Sequence, residues 1–117
     1  MRTSEGKLSK FLQNQINNSF AQVITDLNKM EESISFIKDF FTPSELETFS
    51  KRLAIGYWLK KGRSYVNIKT NLKVSSATIA EVSQMLKRKG FLLGITKIEA
   101  EEWANVWVKR IRKFVKK

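Results

Sequence analysis

Apart from Ile79, the stretch Ser75-Ser76-Ala77-Thr78-Ile79-Ala80 carries only small and hydroxyl side chains. With no His in the chain to activate a hydroxyl, such residues are not expected to break covalent bonds, but they can lie close to a nucleic acid. Ser76, Ala77 and Ala80 are small enough for close approach to base edges in a major groove, and the hydroxyls of Ser75 and Thr78 can bond phosphate. Cations for the phosphate backbone flank the stretch at Lys69, Lys87 and Arg88, and further upstream at Arg52 and Arg63. The chemistry these residues suit is recognition: base contact by Ser76, Ala77 and Ala80, and phosphate contact by Lys69, Ser75, Thr78, Lys87, Arg52, Arg63 and Arg88.

Two short helices must position them. Over Ser64–Leu86, Tyr65, Ile68 and Leu72 recur at the i, i+3, i+7 spacing of one buried helical face, and Ile79, Val82 and Leu86 repeat it. Ser64 can cap the first helix, and Ser75 is placed to accept the backbone N–H of Thr78 at the start of the second. With Lys73-Val74 as the break, this is the pattern of a helix-turn-helix, whose second helix offers its N-terminal side chains to DNA. The pattern is degenerate, and an ordinary helical hairpin in an all-α core would produce it too.

Composition narrows the function further. The chain has 117 residues, 42% of them hydrophobic, which suits one domain with a modest core. It has no Cys and no His. That removes disulfides, thiolate metal sites, thiol nucleophiles and the commonest general base, so neither an enzyme, a cofactor nor a metal site is expected. No run reaches the roughly 18 apolar residues of a membrane span, and residues 1–6 lead into no signal-peptide core, so a cytoplasmic protein is expected.

The net charge is +11. Residues 1–50 hold five Lys/Arg against seven Asp/Glu, whereas residues 51–117 hold seventeen against four. The basic half contains the helix-turn-helix. A polyanionic partner suits this asymmetry, because each phosphate neutralised by Lys or Arg releases condensed counterions. Charge alone favours nucleic acid without choosing DNA; the helix-turn-helix makes that choice.

The remaining elements read as helices. From Lys7 to Met30, apolar residues from Leu8 through Phe11, Ile16, Phe20, Ile24 and Leu27 keep steps of three and four and predict one long amphipathic helix. A stripe so long needs a large partner surface, and a second subunit is the expected partner. Glu31–Phe41 predicts a second helix. Thr42-Pro43-x-Glu45 then starts a third as a capping box, running to about Lys61 and stopped by Gly62 at the C′ position. Lys51, Arg52, Lys60, Lys61 and Arg63 lie on or beside it. Phe91–Ile95 reads as a buried connector, and Thr96-x-x-Glu99 as the capping box of a last helix to about Val115. Trp103, Trp107, Ile111 and Phe114 form its apolar face, with Lys109, Arg110, Arg112, Lys113, Lys116 and Lys117 at its end. The expected organisation is a single domain, 1–117, with N-terminal dimerisation helices at 7–41, a helix-turn-helix core at 42–89 and a basic C-terminal helix at 96–117.

Phe41–Lys87 resembles the Trp repressor superfamily, in particular its small Trp repressor-like members of the YerC/YecD type. The shared marks are the Thr42-Pro43-x-Glu45 helix start, Lys51-Arg52-Leu53, the Lys61-Gly62 stop, Ser64-Tyr65 with Ile68, and Val74-Ser75-Ser76-Ala77-Thr78-Ile79. The resemblance implies an all-α, six-helix fold with a helix-turn-helix, and an intertwined homodimer whose paired reading heads bind a two-fold symmetric double-stranded DNA operator. A transcriptional repressor is the implied role. The alternative is a basic interaction module that binds RNA or an anionic membrane surface. The cations ending the last helix suit its macrodipole and a phosphate-gripping arm beside DNA, or else a helix lying on such a membrane, and no membrane is expected.

Two departures from the family pattern bear on ligands. Tryptophan-responsive repressors clamp their ligand between an Arg on the third helix and an Arg on the recognition helix, followed by a small residue. Arg52 matches the first position, but Glu81 stands at the second and Val82 follows it. A carboxylate about 4 Å from the ligand's own would add roughly 4 kcal/mol of repulsion at an effective dielectric of about 20. No small-molecule co-repressor is therefore expected, and Glu81 can instead pair with Arg52. Lys73 occupies the turn position often taken by Gly, where an L-residue in the left-handed region is strained by roughly 1 kcal/mol.

Overall fold

A computed structural model describes the backbone of residues 6–115 and the side chains of residues 6–102. Among the described residues six helices follow one another: α1 (Lys10–Asp26), α2 (Met30–Phe40), α3 (Pro43–Lys60), α4 (Tyr65–Leu72), α5 (Ser76–Met85) and α6 (Lys89–Val115). No strand occurs among the described residues, and the fold is all-α. The chain divides into two compact units, residues 1–43 and 44–117.

In the first unit the helix expected over Lys7–Met30 is shorter, Lys10–Asp26, and the second helix begins at Met30 rather than Glu31. Ser9 caps α1, its Oγ accepting the Leu12 N–H at 3.1 Å. The helix ends at Asp26, Leu27 is extended (φ −77°, ψ 96°), and α2 begins at Met30. The break falls on Asp26-Leu27-Asn28, where Asp and Asn side chains compete with the helical backbone for hydrogen bonds. Apolar spacing ran on across it and hid the interruption. Phe20 of α1 stacks on Phe40 of α2 at 5.4 Å between ring centroids, and Phe40 stacks on Phe36 at 5.0 Å. Yet α1 and α2 contain no buried residue; Phe11 is 73% exposed and Met30 66%.

The second unit has a true core. Ile55 of α3, Ile68 of α4, and Ile79 and Val82 of α5 are buried together, with Trp58, Leu59, Leu72, Val74, Met85 and Phe91 packed around them. Ile95 of α6 is also fully buried. α6 comes close to α3 at Gly56, where an added Cβ would lie 2.7 Å from the Phe91 ring and 3.0 Å from Ile95 Cδ1. Pro43 is the first residue of α3, whose far end closes as a Schellman motif: Arg63 N–H bonds the Trp58 carbonyl at 3.1 Å and Gly62 N–H the Leu59 carbonyl at 3.0 Å. Gly62 stands at φ 86°, as the C′ position requires.

The start of the last helix departs from expectation. Phe91–Ile95 is not a connector but part of α6, which begins at Lys89, so the 96–117 boundary lies inside a helix. Thr96 caps nothing; its Oγ1 donates to the Leu92 carbonyl one turn earlier at 3.0 Å. Two glycines, Gly90 and Gly94, lower helix propensity there and made the run look like a loop. The face expected from Trp103, Trp107, Ile111 and Phe114, and the cations Lys109, Arg110, Arg112, Lys113, Lys116 and Lys117, lie outside the residues whose side chains are described.

Candidate nucleic-acid interface

The reading head is built by its caps. Ser64 Oγ accepts the Asn67 N–H at 3.1 Å at the start of α4, and Ser75 Oγ accepts the Thr78 N–H at 3.1 Å at the start of α5. Each bond satisfies one of the backbone donors that a helix leaves unpaired in its first turn. Between the caps the chain turns through Lys73, which closes α4 in the left-handed conformation (φ 57°, ψ 52°), its N–H bonded to the Lys69 carbonyl at 3.0 Å.

Burial of Ile79 and Val82 fixes which side of α5 faces outward. Ser76, Ala77, Ala80, Glu81 and Gln84 are all exposed, so the three expected base-contact residues share one open surface. Ser75 is exposed and Thr78 half-buried, with their hydroxyl oxygens 3.0 Å apart. Lys69, on α4, and Arg88, just beyond α5, are exposed. Lys87 donates to Gln84 Oε1 at 3.0 Å. Arg63 sits apart from this surface in its contacts: its guanidinium lies over the Trp58 ring at 4.1 Å and Nη1 donates to Asn67 Oδ1 at 3.4 Å.

A cleft of about 430 Å³ separates α3 from the α4–α5 turn and α5. Arg52, Ser75 and Thr78 line it, together with Glu81 and Val82. Among the described residues no Arg52–Glu81 ion pair forms, contrary to expectation. The Arg52 guanidinium instead stacks over Phe49, 5.1 Å from the ring centroid. Lys51 and Lys73 line the same cleft, and neither stood out from spacing alone. The signal for Lys51 was its adjacency to Arg52; for Lys73 it was a lysine at a turn position that favours glycine.

Other cations near the head serve the fold. Lys60 and Lys61, at the end of α3, reach across to Glu99 and Glu102 of α6, the second pair at 3.2 Å. Hydrogen bonds from Tyr57 and Lys61 hold the Glu102 carboxyl below its ordinary range, and the same carboxylate raises both Tyr57 and Lys61. Lys51 pairs with Glu47 one turn away at 3.0 Å. This polar strap, and the close packing at Gly56, hold α6 against the helix that carries Arg52.

The sequence model of the Trp repressor protein family matches residues 15–90, more than half of the chain, and takes in all of α2 to α5. The chain belongs to the Trp repressor family, a family of DNA-binding regulators. It is also similar to the uncharacterized protein YerC of Bacillus subtilis (strain 168), with 33% identity over 63 residues that make up 54% of this chain and 61% of the relative. The match thus spans about three fifths of that relative's length. No solved structure matches the chain. Among the described residues no helix is long and apolar enough to cross a membrane.

Proposed function

We propose that the protein is a sequence-specific double-stranded DNA-binding regulator, a transcriptional repressor, that works as a homodimer and is not controlled by free tryptophan. The observation that carries this reading is the capped α5, which turns Ser76, Ala77 and Ala80 outward beside a cation-lined cleft, within a family of DNA-binding regulators. Base contact falls to those three residues. Lys69, Ser75, Thr78, Arg52, Lys87 and Arg88 meet phosphate, and Arg63 does so from its seat on Trp58.

Dimerisation is supported by the first unit, whose helices bury no residue of their own and expose Phe11, Ile16, Phe20 and Ile24. A second copy would cover them. Independence from tryptophan is supported by Glu81, the acid in the cleft where a second cation would be needed, and by Val82, which fills its position at 2% exposure. Calorimetry with millimolar L-tryptophan should register no binding, and a tryptophan-dependent gain in DNA affinity would overturn that part.

Footprinting on genomic fragments tests the whole reading. A protected, two-fold symmetric site of defined sequence supports it. Uniform weak binding to duplex DNA, RNA and anionic vesicles would favour the basic interaction module instead.

A further inference from the structure

The left-handed turn between α4 and α5 is made by a lysine. Lys73, at φ 57°, is the one non-glycine residue with positive φ among the described residues, whereas the other left-handed position there, at φ 86°, is Gly62. A side chain in this region crowds the backbone, and glycine avoids the strain. Nothing in the fold returns a benefit for it: Lys73 is exposed, and no ion pair or side-chain hydrogen bond holds it among the described residues. Where its neighbours on α3 are engaged, Lys51 by Glu47 and Arg52 by Phe49, the Lys73 ammonium is not. It lines the cleft edge with Ser75 and Thr78, immediately before the recognition helix.

We infer that Lys73 is a phosphate-contacting residue that positions α5 on duplex DNA, and that the turn keeps a strained lysine for that charge. The inference rests on the DNA-binding reading. It extends that reading to a residue whose backbone position argues for glycine on every structural ground. The ammonium extends from the turn that fixes where α5 begins, so a phosphate held there sets the depth and register of Ser76 and Ala77. A phosphate contact carries no sequence information, so its loss weakens cognate and random duplexes alike.

Three variants test this, with thermal melting and duplex binding measured at several salt concentrations. Lys73→Gly should raise the thermal midpoint by roughly 4 °C as strain is relieved. It should also weaken binding to all duplexes several-fold and lower the salt slope by about one unit per contact. Lys73→Asn, which tolerates the left-handed turn, should lose binding equally, and Lys73→Arg should retain most of it. Wild-type affinity and slope in Lys73→Gly, with the wild-type protein binding DNA, would overturn the inference alone. Failure of the wild-type protein to bind any duplex would overturn the DNA-binding reading, and this inference with it.

Discussion

Ser75 Oγ stands 3.1 Å from the Thr78 backbone nitrogen and 3.0 Å from Thr78 Oγ1, so one hydroxyl both caps the recognition helix and joins a polar pair at the cleft edge. Ser75→Ala should cost about 1 kcal/mol through loss of the cap. Ser75→Asp restores an acceptor for the Thr78 N–H but places a carboxylate where phosphate would sit. It should melt close to wild type and bind duplex DNA at least tenfold more weakly. Chemical denaturation and a binding titration on the same samples separate the two effects; a Ser75→Asp protein that binds like wild type removes the cleft edge from the interface.

The strap between α3 and α6 predicts a pH dependence. The Glu102 carboxyl is held low by the hydroxyl of Tyr57 and the ammonium of Lys61, so its contribution is full above the ordinary carboxylate range and is lost as pH falls through the depressed value. Tyr57 and Lys61 are both raised, so theirs is full below their ordinary values, 10.0 and 10.5, and is lost as pH rises through the higher folded ones. Thermal midpoints of Glu102→Gln should fall less steeply than wild type at the acid end, with the two profiles parallel around neutrality. All three groups are solvent-accessible, and the difference should shrink in molar salt. Identical acid limbs in both proteins would mean that the strap contributes nothing.

The exposed stripe of the first unit gives a prediction about assembly. Ile16 and Phe20 lie four residues apart on α1, 46% and 38% exposed. Replacing both by Asp should dissociate or unfold a homodimer, seen as a fall in sedimenting mass or loss of helical signal. A wild-type mass of one chain at micromolar concentration would show that the stripe has no second copy as its partner.

What was legible in the sequence was local. Ser64 and Ser75 announce their helices because a cap needs only a hydroxyl three residues before a donor, and Gly62 announces the end of α3 because the C′ position favours a residue without a Cβ. Ile68, Ile79 and Val82 came from helical spacing and are buried as that spacing implies. The end of α1 at Asp26 and the start of α6 at Lys89 were not legible, because apolar periodicity ran past the first and two glycines blurred the second. Nor could the candidate site be completed from spacing. Lys60 and Glu99 are far apart in sequence, and only the packing of α6 on Gly56 brings them together; that pairing makes Lys60 part of the scaffold. Arg52 and Glu81 do share a cleft, but the guanidinium lies on Phe49.

In the function proposed, the outward face of α5 reads base sequence. The most direct test of this claim is the ratio of affinities for a duplex selected from genomic fragments and a random duplex of equal length, at one fixed salt concentration, for wild type, Ala77→Asp and Lys87→Ala. Wild type should prefer the selected duplex by roughly a thousandfold or more. Ala77→Asp should bring the ratio close to one, since its carboxylate would face acceptor-rich base edges. Lys87→Ala should weaken both duplexes equally and leave the ratio unchanged. A wild-type ratio near one, or the same ratio in wild type and Ala77→Asp, would contradict the claim.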